Sequence, residues 1–194
     1  MSLLGTTPYI ANDVFVAPSS TVVGSVFLVD RSSCWYNAVI KGDCNTVRVG
    51  LCTAVMDRAV LNTVPTLTTG FPSVLNIGNW SVIGPNSVVT SSTIGDYVSI
   101  GEGCTVGEGS IIEDGVVLEP GTVVPPGSML KSDSKWGGNP AVLKGEGDWR
   151  EGNKSDAEQI ALIAEDHVEE FLPFGNAYQH LEETTEEMSV ERQK

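Results

Sequence analysis

Apolar residues recur at intervals of six through the middle of this chain. Seven of them follow one another without a break: Ile94, Ile100, Val106, Ile112, Leu118, Val124 and Leu130. A period of six fits neither an α-helix, which repeats every 3.6 residues, nor the simple alternation of a single strand. It is typical of hexapeptide repeats, in which each turn of a β-helix is too small to bury its own apolar face and must stack on the next. The spacing therefore predicts an all-β repeat fold, with a sandwich or barrel of short strands as the alternative.

The same spacing extends towards the N-terminus, with a loop over residues 64–74 and small shifts of phase. The further positions are Ile10, Val16, Val22, Leu28, Cys34, Ile40, Val49, Val55, Leu61, Ile77, Ile83 and Val89. Glycine follows many of them, as at Gly50 and Gly101, where either a positive φ or a close backbone approach favours it. We expect an N-terminal lead-in over residues 1–9, the repeat over 10–141, and a linker with an acidic C-terminal helical segment over 142–194.

A helix is predicted after the repeat. Ser155 and Glu158 have the spacing of a capping box, with Ser155 as the N-cap. Ile160, Ile163 and His167 follow at helical spacing and predict an apolar stripe that covers another surface. Pro173 should end or kink this helix, and residues 178–193 are a candidate second acidic helical segment.

Charge and composition exclude several functions. The net charge is −14, whereas nucleic-acid or anionic-lipid binding needs clustered Lys and Arg. No stretch approaches the roughly 20 apolar residues of a membrane span, and no targeting segment is evident. The four cysteines form no C-x-x-C pair, so neither a zinc knuckle nor a redox motif is indicated. Cys34 occupies a ladder position, where it should behave as a small buried apolar group.

Four blocks carry a family resemblance. They are the stretches 16–24, 34–43, 53–57 and 136–141, which read VAPSSTVVG, CWYNAVIKGD, TAVMD and WGGNPA. Their order and spacing resemble the γ-class carbonic anhydrase family over roughly residues 10–145. The resemblance implies a left-handed parallel β-helix of triangular section with a C-terminal α-helix. It also implies trimers, with metal sites between subunits.

In active members of that family three histidines bind the metal, two from one subunit and one from its neighbour. The resemblance places these ligands at Asn62, Pro85 and Thr90 of this chain. An amide, a ring without a donor and a hydroxyl are poor substitutes for imidazole on zinc. The two histidines of the chain, His167 and His180, both follow the repeat, so residues 1–150 contain no imidazole. No metal or other cofactor is therefore expected.

Polar positions around the family's site are also altered. The arginine of the family's Arg-Gly-Asp corner corresponds to Lys41, and Asp43 is retained. The glutamine before the second aspartate corresponds to Met56, and Asp57 is retained. Lysine does not replace arginine at a bidentate site. We interpret Lys41, Asp43 and Asp57 as remnants at a subunit interface.

The resemblance implies a non-catalytic subunit, similar to histidine-less members of mitochondrial respiratory complex I. Such a chain would join related γ-carbonic anhydrase-like chains in a heterotrimer. It would contact membrane-arm subunits at the matrix face of the inner membrane, without a membrane span of its own and without nucleic acid. The alternatives are a hexapeptide-repeat acyltransferase, for which a histidine base is missing from the coils, and a γ-carbonic anhydrase-like protein outside complex I.

Overall fold

Three flat β-sheet faces wind around one apolar interior. The structure, a computed structural model, describes residues 5–67, 70 and 73–171. Within these residues the strands are β1 (Tyr9–Ile10), β2 (Phe15–Val16), β3 (Thr21–Leu28), β4 (Ser33–Cys34), β5 (Val39–Val49), β6 (Ala54–Val55), β7 (Val60–Asn62), β8 (Leu75–Ile77), β9 (Val82–Ile83), β10 (Val88–Thr90), β11 (Thr93–Ile94), β12 (Ser99–Ile100), β13 (Thr105–Val106), β14 (Ile111–Ile112), β15 (Val117–Leu118), β16 (Val123–Val124), β17 (Met129–Leu130), β18 (Ser134–Gly137) and β19 (Val142–Glu146). One helix, α1 (Arg150–Phe171), follows them.

Every third strand in the regular part of the repeat lies on the same face. Face A stacks β2, β4, β6, β9, β12, β15 and β18 in parallel, and β19 adds to it antiparallel. Face B stacks the first halves of β3 and β5 with β7, β10, β13 and β16. Face C stacks β1 and the second halves of β3 and β5 with β8, β11, β14 and β17. The expected parallel β-helix is confirmed.

The ladder residues form the interior. Ile94, Ile112 and Leu130 stand above one another on face C, because β11, β14 and β17 pair in register. Ile100 and Leu118 do the same on face A. A step of six residues thus moves to the next face, and a step of eighteen returns to the same face one coil later. All seven residues of the unbroken run are at most 2% exposed, so each contributes roughly 1.5–3 kcal/mol of transfer free energy.

Glycine after a ladder residue is required by close packing between coils. A Cβ placed on Gly101 would lie 2.7 Å from the backbone nitrogen of Pro120 in the next coil. Positive φ values occur at the other corner positions instead, for example at Arg31 and Tyr97. Of the two reasons that the sequence offered for these glycines, the close approach of the backbone is the correct one.

Helix α1 lies along the corner between faces C and A and contacts almost every coil. The contacts run from the last coil to the first. Arg150 pairs with Asp133, the Asn153 side chain donates to the Tyr97 carbonyl, and the Lys154 ammonium lies over the Trp80 ring. Further along the helix, the Cys52 thiol donates to the Ala157 carbonyl, and Glu165 pairs with Arg31. Fifteen helical residues rise about 22 Å, and the five coil steps that they follow span about 24 Å. One helical turn therefore matches about one coil.

The start and the buried side of α1 differ from the sequence prediction. The helix begins at Arg150, whose backbone N–H donates to the Asp148 carboxylate at 3.1 Å, so Ser155 lies inside the helix and is not its N-cap. The fully buried side is a row of alanines, Ala157, Ala161 and Ala164. Ile160 of the predicted stripe is partly buried against the first coils, whereas Ile163 is exposed. Only small side chains fit on the fully buried side, because the helix backbone lies directly on the corner of the β-helix.

The start of the 142–194 segment, where the sequence predicted a linker before the helix, contains β19 and the first turn of α1. Because β19 pairs with β18, the sheet continues past residue 141. Pro173, His180 and the candidate second helical segment lie outside the described residues. In the described part of the chain, no helix has the length and apolar character needed to cross a membrane.

Candidate functional site

Two of the three positions that the resemblance assigns to metal ligands are neighbours. Thr90 and Asn62 are register partners at the ends of β10 and β7 on face B. The preceding residues in each strand, Val89 and Leu61, point into the buried interior. Because side chains alternate along a strand, Thr90 and Asn62 point outwards from adjacent coils, and both are half-buried.

The third position lies at the opposite edge of the same face. Pro85 follows β9 in the corner between faces A and B, and its carbonyl oxygen accepts a hydrogen bond from the Gly103 N–H at 2.8 Å. Strand β10 lies between Pro85 and Thr90, because Pro85 precedes the strand and Thr90 is its last residue. A single copy of the chain therefore brings together Asn62 and Thr90 but not Pro85.

The side chains at these positions do not fit zinc. Zinc sites in proteins use thiolate, imidazole or carboxylate ligands, whereas this set provides an amide, a hydroxyl and a proline ring. Among the described residues, no group of three or more His, Cys, Asp or Glu is placed to hold a metal ion. The assignment of Asn62, Pro85 and Thr90 to ligand positions stays a prediction from the resemblance.

Lys41 and Asp43 lie at the same edge of face B as Asn62. The register of β5 with β7 places Lys41 one residue beyond the Ile40–Leu61 pair, and the Lys41 Nζ is 3.3 Å from the Asp43 Oδ2. Partial desolvation raises the pKa of the Asp43 carboxyl. The hydrogen bond and charge of Lys41, together with the backbone N–H of Cys44, outweigh that effect and hold the pKa below its usual value.

Asp57 lies at the other edge, beside Pro85. It occupies the corner after β6, and its carbonyl oxygen accepts a hydrogen bond from the backbone N–H of Asn86 at 2.9 Å. The predicted site residues thus form two groups on opposite edges of face B. One edge carries Lys41, Asp43, Asn62 and Thr90, and the other carries Asp57 and Pro85.

Cys34 is buried, as its ladder position predicts. All four cysteines are free, and Cys34, Cys52 and Cys104 are buried while Cys44 is exposed. Burial raises the pKa of the Cys34 thiol to about 12, and burial also raises the pKa of Cys52 and Cys104. None of the three buried thiols is therefore a good nucleophile.

His167 packs against the first coils, as predicted for a histidine beside an apolar stripe. Its ring lies 5.2 Å from the ring of Trp35 and 5.9 Å from that of Phe15, and its Nδ1 is 3.2 Å from the Tyr36 hydroxyl. The apolar period of the sequence does not predict this aromatic cluster. One feature of the sequence does indicate it: Phe15, Trp35 and Tyr36 lie next to ladder positions but not on them, so these aromatic rings are expected outside the interior.

Comparison with curated proteins identifies relatives of this architecture. The chain is 43% identical over 185 residues to the mitochondrial γ-carbonic anhydrase-like protein 1 of Arabidopsis thaliana, covering 94% of this chain and 73% of the relative. The chain belongs to the γ-carbonic anhydrase-like family. The mitochondrial γ-carbonic anhydrase 2 of the same plant is 33% identical, over 73% of this chain and 51% of its own length. An uncharacterised protein of Dictyostelium discoideum is 35% identical over 83% of the chain, which spans 63% of that relative.

A family model described as Dynactin subunit 5 matches residues 8–176 of this γ-carbonic anhydrase-like chain. The chain belongs to the family that this model defines as well. Among solved structures, a hexapeptide transferase family protein of Anaplasma phagocytophilum superposes with a TM-score of 0.80 at 24% identity, over 86% of this chain and 96% of its own. A Bacillus cereus protein provisionally described as an acetyltransferase gives 0.73 at 25% identity, over 93% and 96%. The left-handed parallel β-helix with a C-terminal α-helix is confirmed as the fold class.

Proposed function

We propose that this γ-carbonic anhydrase-like chain is a non-catalytic, structural subunit of a trimer. The observation that carries the proposal is the chemistry of face B: neither edge presents an imidazole, because both histidines of the chain follow the repeat. At the same time the buried ladder that builds the flat faces is complete. The chain therefore keeps the shape of the family while its site lacks the family's ligands.

The two-edge arrangement supports a role at subunit interfaces. In the family, a neighbouring subunit brings its third ligand to the pair provided by the first. On this chain the equivalent arrangement would set the Pro85 edge of one subunit against the Thr90 edge of the next. Each copy would then take part in two of the three interfaces and would contribute no histidine to either. In a heterotrimer with one such copy, only the interface between the other two chains retains a complete ligand set.

We place this trimer on the membrane arm of mitochondrial respiratory complex I, at the matrix face of the inner membrane. The mitochondrial designation of the Arabidopsis relatives at 43% identity supports the compartment. The absence of imidazole from the coils supports an assembly role over hydration of CO2. The partners would be related γ-carbonic anhydrase-like chains and membrane-arm subunits.

Purification from the source cell in mild detergent tests the proposal. We expect the chain to migrate with a large respiratory assembly that contains related γ-carbonic anhydrase-like chains. Migration alone, or with a different assembly such as one containing dynactin-like subunits, would overturn the placement. Stoichiometric zinc on the purified homotrimer would overturn the non-catalytic assignment.

A hexapeptide-repeat acyltransferase is the alternative, favoured by the likeness to the Bacillus cereus structure. Acyl transfer usually requires a general base near the acceptor, and residues 1–150 provide no histidine for that role. Calorimetric titration with acetyl-CoA separates the two functions. We expect no saturable binding, and micromolar binding would favour the transferase.

A further inference from the structure

Two aromatic side chains and an arginine are exposed on the part of face C that the first three coils form. Tyr9, Phe27 and Arg48 are register partners there, and they point outwards because the ladder residue beside each of them points inwards. Tyr9 is 59% and Phe27 43% exposed, and their ring centroids lie 6.2 Å apart. Arg48 is exposed, and it makes no ion pair with any other described residue. These three residues are the face C patch.

The interior is less well covered beside this patch than in the coils above it. Ile10, the ladder residue of β1, is only partly buried, whereas Leu28 and Val49 in the same column are at most 1% exposed. At the opposite end of the β-helix, Trp136 and Ala141 pack on the interior and β19 extends the sheet. Repeat folds need a cover on their terminal repeats. The first coil and the face C patch therefore form a surface suited to another segment.

Helix α1 brings the chain to this end of the β-helix. Near its end, Val168 lines a cleft together with Asn12 and Asp13, which form the corner of the first coil. Tyr9 precedes Asn12 by three residues, or at most about 10 Å of extended chain, and Arg48 lies two strands further along face C, again about 10 Å away. Ten residues extend up to about 33 Å. The residues that follow α1 are therefore long enough to cross the whole patch.

The composition of residues 172–194, which lie outside the described residues, complements the patch. Residues 172–181 contain no Asp, Glu, Lys or Arg, although four acids precede them in 165–170 and four glutamates follow in 182–187. The larger apolar side chains of this uncharged stretch are Leu172, Phe174, Tyr178 and Leu181. Apolar side chains gain free energy by covering exposed rings, and glutamates are attracted to an arginine. The order of the two stretches thus matches the order of the rings and Arg48 along face C.

We infer that residues 172–187 fold back over the face C patch of their own chain. The uncharged stretch covers the two aromatic rings, and the glutamates that follow it lie beside Arg48. The exposed Asp13 at the corner does not oppose this path, because uncharged residues pass it first. A second copy is a weaker competitor, since α1 holds the segment next to the patch at an effective concentration of roughly millimolar. The inference is independent of the assembly role, because the predicted site residues lie at the edges of face B.

Site-specific photocross-linking of the full chain tests the inference. Benzoylphenylalanine replaces Phe27, and mass spectrometry identifies the linked peptides in a mixture of unlabelled and isotope-labelled chains. We expect links to residues 172–181 within one isotopic form. Mixed-isotope links, which report a second copy, would overturn the inference, as would links only to residues 1–4 or no link to residues 172–187. The same replacement of Ile111, which is 44% exposed further along face C, is the control and should give no link to residues 172–187.

Charge variants test the role of Arg48. Chymotrypsin cleaves after Phe174 and Tyr178, so its rate on the full chain measures how well the segment is protected. Arg48→Glu should raise this rate about two- to fivefold, as expected for the loss of an exposed ion pair. Arg58→Glu is the matched control, because Arg58 is an exposed arginine at the corner between faces A and B. An unchanged rate in Arg48→Glu, or an equal rise in Arg58→Glu, would overturn the assignment.

A charge exchange provides the rescue. Adding Glu182→Lys and Glu183→Lys to the Arg48→Glu variant should restore the slow cleavage, because opposite charges again face each other. Circular dichroism checks that each variant folds. Cleavage that stays fast in the exchanged variant would contradict the placement of these glutamates beside Arg48.

Discussion

Two adjacent isoleucines test the alternation on which the fold rests. Ile112 is 1% exposed and packs between Ile94 and Leu130 in the interior, whereas Ile111 is 44% exposed on the outside of face C. Replacing either residue by alanine removes the same three carbon atoms from the same strand. Any difference in stability between the two variants therefore reports the direction of the side chain.

The expected magnitudes differ clearly. An isoleucine-to-alanine change in a core costs about 2–5 kcal/mol, because the transfer term and the cavity term add. The coils above and below Ile112 are held by backbone hydrogen bonds, so little collapse into the cavity is possible and the cost should lie in the upper half of that range. Ile111 loses only part of its buried area and a cross-strand contact with Met129, which together amount to about 1 kcal/mol.

Urea unfolding followed by far-UV circular dichroism measures the difference. With an m value of about 2–3 kcal/mol/M, Ile112→Ala should lower the midpoint by more than about 1 M, and Ile111→Ala by less than about 0.5 M. Coils contact only their neighbours, so the slope of each transition must be compared before the midpoints are converted to free energies. Equal destabilisation in the two variants, or a larger effect at Ile111, would refute the inward direction of the ladder.

Three further predictions concern the thiols, the helix and the site. At pH 8 a thiol reagent should modify Cys44 quickly and the other three cysteines only in urea. The pKa values of Cys34, Cys52 and Cys104 are raised in the folded state. The free energy of unfolding that these protonated thiols contribute is therefore complete below about pH 9 and is lost towards pH 12. A urea midpoint that rises between about pH 9 and 10.5 would contradict the burial of these thiols. Ala157→Leu should lift α1, cost about 1–3 kcal/mol and expose Cys52 to the reagent, whereas Leu162→Ala on the exposed side should do neither. Asn62→His should fold normally and show no CO2 hydration in a stopped-flow assay, since Pro85 and Thr90 remain unchanged; activity in this variant would contradict the ligand assignment.

The candidate site was predictable in composition but not in arrangement. Both histidines of the sequence follow the repeat, so the sequence alone excludes imidazole from the coils. The register that sets Thr90 beside Asn62 depends on how the loop over residues 64–74 restarts the coil, and a period alone does not determine that. The split of the site residues between two edges of face B, with Asp57 beside Pro85, appears only when the coils are stacked.

The sequence by itself determined the β-helix. Apolar residues at a period of six are all buried in one interior when each strand moves to the next face and every third strand returns to the same face. Helix α1 starts at a local cap, in which the Arg150 backbone N–H donates to the Asp148 carboxylate, and the Arg150 side chain also pairs with Asp133 on the last coil. Tertiary structure alone decided what α1 buries. Its alanine side follows from the close approach of a helix whose pitch nearly equals the coil spacing. Ser155 was misassigned for a local reason, because the helix is capped earlier, at Asp148. Contacts between segments far apart in sequence leave no local period, and so Ile163 was misassigned while Ile94 to Leu130 were not.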